Sequence, residues 1–225
     1  LAALKRILKL LFSLAVYSAD AFRAAIGALF GQSAPGSCVV LYYHEVVPAN
    51  RQRFAAQLDI ICRAARPVSA LELPVFSPGK KYVALTVDDA FVSFFSNGLP
   101  EIELRKIPVL VFIPTAWIGK VVDWIMEEVM TSPNEKVATL AELKEHAKHP
   151  LVRFGSHTVN HRKLPLLTDA EALQELAESK EFLEREFRCP IGTISFPYGG
   201  CSPRDVKLAM QCGYQTFFTT RPERI

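Results

Sequence analysis

The segment GSHTVNH, residues 155–161, carries two histidines four apart, His157 and His161. A second segment, LTVDDAF, residues 85–91, carries adjacent carboxylates, Asp88 and Asp89, directly behind an apolar run. Two imidazoles and one carboxylate suit zinc or a similar divalent ion, with coordination positions left for water. Each piece also has an ordinary use. Paired aspartates commonly end a strand in a turn or cap, and a four-residue spacing aligns histidines only on a helix. His44, behind CVVLYY, would alone read as a hydrogen-bonded rim residue, and Pro197-Tyr198-Gly199 as a simple turn. What these groups share is position, since each follows immediately on a short apolar run. Their joint occurrence makes one common site a better explanation than coincidence.

The elements that must position them alternate. Apolar runs at 38–43, 82–87 and 108–113 read as buried strands, with shorter candidates at 152–156, 193–196 and 216–220. Between them lie helical patterns, the first with Phe54, Leu58 and Ile61 on one face. Thr139–Glu142 and Thr168–Glu171 have the form of capping boxes. Ser202-Pro203 opens a further helix that Gly213 can close. Short, nearly continuous apolar strands separated by helices predict an α/β fold, a parallel sheet covered on its outside as in a parallel α/β barrel. In such a barrel functional groups gather at the C-terminal ends of the strands, where all of these residues fall. Six strands are visible and a barrel wants one or two more. A further strand could begin at the final RPERI, so the barrel is read as open or the domain as continuing past Ile225.

The chain has 225 residues, 50% of them hydrophobic, with a net charge of +3, which suits one sizeable core and no nucleic-acid partner. Five cysteines without CxxC spacing argue against a disulfide framework and read as small buried thiols. Residues 1–37 differ from the domain at 38–225. Lys5, Arg6 and Lys9 precede an apolar run too short to span a bilayer. Leu4, Ile7, Leu8 and Leu11 share one face of an amphipathic helix. Peripheral membrane contact through residues 1–30, a signal peptide and a core-packing helix are all compatible with this pattern. A cell-envelope or membrane-associated location is favoured over a cytoplasmic one.

From Val39 to Thr220 the sequence resembles the polysaccharide deacetylases with a NodB-homology domain, carbohydrate esterase family 4. LTVDDAF is similar to that family's TFDDG motif, HTVNH to its H-S/T-x-x-H motif and SFPYGG to its third motif. LYYHEV and FPYG look most like the poly-N-acetylglucosamine deacetylase branch. The resemblance implies a distorted (β/α) barrel in which Asp89, His157 and His161 hold a divalent metal, zinc foremost. It implies Asp88 as catalytic base, the backbone N–H of Tyr198 beside Pro197 as an oxyanion donor, and His44 as the acid that protonates the leaving amine. The implied substrate is an N-acetylated, N-acetylhexosamine-containing glycan.

Three positions depart from the family pattern. Ala90 replaces the glycine of TFDDG, at a turn where glycine would serve a positive φ. Ser195 replaces the third-motif arginine. The later aspartate–tryptophan pair is missing, and Asp123-Trp124 reads instead as the start of a helix. Phe91, Phe94 and Phe95 read as core, and His146 and His149 as a solvated helix end. Two other functions are compatible with the sequence: a catalytically impaired glycan-binding barrel, which Ala90 favours, and a metal-dependent hydrolase of another amide or ester.

Overall fold

The structure is a computed structural model that describes residues 34–124 and 134–220. The expectations for the N-terminal helix, for membrane contact and for a strand at RPERI lie outside those residues. Among the described residues, seven strands form one parallel sheet: β1 (Ser37–Tyr43), β2 (Arg66–Val68), β3 (Lys81–Val87), β4 (Val109–Ile113), β5 (Val152–Ser156), β6 (Thr193–Ser195) and β7 (Thr216–Phe218). Their order is β1-β3-β4-β5-β6-β7. β2 pairs with the first half of β3 and β4 with its second half. β2 is the strand that sequence reading misses. Three residues with Pro67 at the centre carry no periodicity, and proline suits only a strand margin. No pairing of β1 with β7 closes the circle among the described residues, so the sheet is a curled half-barrel.

The helices are α1 (Arg51–Ala64), α2 (Leu99–Leu104), α3 (Leu140–His146), α4 (Asp169–Phe187) and α5 (Pro203–Gln211). Thr139, Thr168 and Ser202 cap the last three, each in a reciprocal capping box. α1 buries Phe54 and Leu58, as its sequence pattern predicts. Gly213 at φ 85° closes α5.

Strand side chains alternate between faces, and the alternation sorts the two cores. Val83, Leu85 and Val87 of β3 and Val109, Val111 and Ile113 of β4 pack with Phe54, Leu58, Leu99, Ile102, Leu143 and Leu176 of the helices. Tyr82, Ala84, Leu110 and Phe112 point the other way, into a smaller cluster without helical residues on the concave side of the sheet. Phe91, Phe94 and Phe95 belong to the larger core.

Two expectations need correction. Only Cys38 is a buried thiol; Cys62 and Cys189 are exposed and Cys201 and Cys212 intermediate, because they sit at helix margins and loops rather than on core faces. His146 and His149 are half-buried, not solvated. His146 stacks on Phe95 with ring centroids 4.1 Å apart, and His149 Nε2 lies 3.1 Å from Glu103.

Candidate active site

Parity carries the site. Thr86 lies on the concave side with Ala84, so Asp88, two residues on, points into the mouth. In the same way His44 follows Val40 and Tyr42 past the end of β1. Gly155 pairs with Phe112 across β5 and β4, so His157 follows it onto the concave side. Ser195 stands beside them at the end of β6.

An extended chain would send Asp89 to the opposite face from Asp88. It does not remain extended: Asp89 has φ 68° and Ala90 φ 52°. This left-handed turn re-aims the chain so that both carboxylates serve one pocket. The turn does require positive φ at the position where a glycine was expected, and Ala90 adopts it at a cost of roughly 1 kcal/mol. Thr158 (φ 64°), His161 (φ 57°) and Tyr198 (φ 60°) are in the same region, so strained backbone concentrates around the mouth.

Asp89, His157 and His161 bring one ligand atom each to within 4.8 Å of one another. Asp89 Oδ1 lies 3.7 Å from His157 Nε2 and 3.5 Å from His161 Nε2, too far for good hydrogen bonds. Asp89 is fully buried, and neither of its carboxylate oxygens has a hydrogen-bond partner. Leaving a carboxylate so is costly without a cation. Burial, and after it the charge of Asp88, push its carboxyl well above the usual carboxylate range. Burial lowers His157 to about 4 and His161 to about 2, so both imidazoles are neutral at physiological pH. His157 Nδ1 lies 2.7 Å from the Ser195 carbonyl. Donation to that carbonyl places the ring proton on Nδ1 and leaves the Nε2 lone pair facing Asp89. A divalent cation fits this donor set, with two imidazole nitrogens, one carboxylate and room for further ligands.

Asp88 is raised by burial, and drawn down less strongly by His44 and by the Ser195 side chain. His44 is buried, and burial lowers it while the charge of Asp88 opposes that. Its Nδ1 has no partner. Pro197 is buried at the end of β6, and Tyr198 beside it is 38% exposed, its ring 4.8 Å from His161.

Two contributors escape sequence reading. Glu175 of α4 is buried and accepts from the backbone N–H of Val159 (2.9 Å) and of Asn160 (2.7 Å) and from the Asn160 side chain (2.8 Å). It clamps the loop between the two histidines. The available signal was a glutamate on the same helical face as Ala172, Leu176, Ser179 and Leu183. Trp124 is the other: its ring stacks on His161, centroids 4.0 Å apart and planes within 16°. Its indole lowers Asp89 from across the pocket but falls short of hydrogen-bond geometry. The helix expected to start at Asp123-Trp124 lies outside the described residues; at Trp124 itself the chain is a loop serving the mouth.

The family model for polysaccharide deacetylase matches residues 77–217. YxkH of Bacillus subtilis, provisionally named a polysaccharide deacetylase, is 24% identical over 199 residues, 84% of this chain and 66% of its own. Poly-beta-1,6-N-acetyl-D-glucosamine N-deacetylase of Staphylococcus aureus is 26% identical over 154 residues, 65% of this chain and 50% of its own. The chain thus spans between half and two thirds of these relatives. The solved structure of IcaB from Ammonifex degensii matches the fold with a TM-score of 0.72 at 24% identity, covering 84% of this chain and 85% of that one. Streptococcus pyogenes deacetylase PplD, solved in complex with acetate, matches with a TM-score of 0.65 at 21% identity, covering 86% and 87%.

Proposed function

The chain belongs to the polysaccharide deacetylase family, and on that premise we propose that its mouth removes N-acetyl groups from an N-acetylhexosamine-containing glycan. In this reading Asp89, His157 and His161 hold a divalent metal, zinc, and residues 38–225 act as the deacetylase domain. The observation that carries the reading is the Asp89 carboxylate, buried and unpartnered between two neutral imidazoles. The names of the Staphylococcus aureus relatives support a polymer of N-acetylglucosamine as the substrate.

A zinc ion bound there supplies Lewis acidity, polarising a carbonyl and acidifying water. The chain's own groups do the rest. Asp88 takes the proton of the attacking water, and burial strengthens it as a proton acceptor. The backbone N–H of Tyr198, set by the turn that Pro197 begins, faces the developing oxyanion. His44 gives a proton to the departing amine, which is a poor leaving group without one. His44 precedes the stretch that the family model matches, so its role rests on its place at the end of β1, within electrostatic reach of Asp88.

The test is acetate release from N-acetylglucosamine oligomers by chelator-stripped protein before and after zinc is restored. Release is expected only after restoration. Equal release from stripped protein, or none after reloading, would reject the reading.

A further inference from the structure

His157 and His161 are held by different means. The His157 ring is fixed through its Nδ1 bond to the Ser195 carbonyl. His161 Nδ1 is buried and has no hydrogen-bond partner. An imidazole that binds a metal through one nitrogen is ordinarily oriented by a hydrogen bond at the other. Here that restraint is missing, and the backbone beneath is in the left-handed region at φ 57°. Ring contacts must supply it. Tyr198 and His157 approach His161 at 4.8 Å, tilted by 52° and 57° respectively. Trp124 lies closer and nearly parallel, at 4.0 Å and 16°. It is 9% exposed, and Trp117 backs it edge-on at 4.9 Å and 86°.

We propose that Trp124 is the positioning residue for His161, its indole face taking the place of the absent hydrogen bond by fixing the imidazole plane so that Nε2 stays aimed at Asp89. A ring free to turn about its Cβ–Cγ bond would present Nε2 correctly for only part of the time. Apparent metal affinity falls by the fraction of time lost. The inference rests on the metal-binding reading above and concerns what makes the site tight rather than what the site does.

The flat ring, and not the space it fills, is the operative feature, so W124F and W124L separate the two. Phenylalanine can stack and leucine cannot. The full chain, stripped and titrated with Zn²⁺ against a chromophoric chelator, is expected to bind within about threefold of wild type as W124F. W124L is expected to bind ~10-fold more weakly, as loss of an orienting partner does at other metal sites. A second readout uses emission. The chain has two tryptophans, so W117F leaves Trp124 as the sole indole and W124F leaves Trp117. Co²⁺ should quench the W117F protein strongly and the W124F protein weakly. Equal affinity of W124L and wild type, or equal loss in W124F and W124L, would overturn the proposal. Wild-type protein that binds no metal would instead remove the reading beneath it.

Discussion

Gly155 lies mid-mouth on β5, two residues before His157, and the substitution Gly155→Ala tests how the interior of the curl sets the site. A methyl group there would stand 2.6 Å from Phe112 Cε1 and 2.6 Å from Thr193 Oγ1. Both contacts are well inside van der Waals separation, the carbon–carbon one by roughly 1 Å. They come from different neighbours, Phe112 on β4 and Thr193 on β6, so movement away from one closes on the other. Phe112 is fully buried and cannot swing into solvent. Overpacking of this kind costs about 1–3 kcal/mol, and two opposed contacts put the expectation near ~2 kcal/mol. In a domain of this size that lowers Tm by about 4–8 °C. The Phe112 ring, 6.4 Å from the His157 ring, would transmit part of the displacement to the histidine. Circular-dichroism melting of the stripped protein, paired with zinc titration, measures both effects. A Tm within 1 °C of wild type would refute the reasoning, since the strands would then have absorbed the methyl group without strain.

Asp88→Asn should retain zinc while acetate release falls by ~10²–10⁴, because the amide cannot accept the water's proton; loss of zinc would mean that Asp88 and Asp89 have exchanged roles. His44→Ala should slow amide cleavage far more than cleavage of an activated aryl ester, whose leaving group needs no proton; equal losses would point to binding or folding instead. Arg51, with Arg105 beside it, holds Glu101 below its usual value near 4.5, at 2.8 and 3.0 Å. A carboxylate depressed in the folded state stabilises above its unfolded pKa and loses that contribution as pH falls through the folded one. Wild-type protein should therefore lose more Tm between pH 5 and pH 3 than Glu101→Gln does; parallel losses would assign acid sensitivity elsewhere.

The parallel sheet and the strand-end placement of Asp88, Asp89, His44, His157 and Tyr198 are legible in the sequence because apolar runs and period-two parity are local properties. Caps at Thr139, Thr168 and Ser202 are legible for the same reason. β2 is not, since three residues around Pro67 carry no pattern and pair only because β3 offers an edge. Ala90 looks like a defect in the motif, yet the backbone takes the left-handed turn with alanine in place. Trp124 is illegible because its partner, His161, is reached only through the folding of two loops over the mouth. Glu175 hides behind helical periodicity, a polar residue on a buried face whose partners lie on a different element.

The central claim is that three side chains share one cation, and zinc counting after equilibrium dialysis tests it most directly. Stripped wild-type protein dialysed against micromolar zinc should retain one ion per chain. Asp89→Ala, His157→Ala and His161→Ala, each folded by circular dichroism, should retain far less. Wild-type protein that comes through dialysis without zinc, or three variants that hold it as firmly as wild type, would contradict the site assembled at the mouth of this barrel.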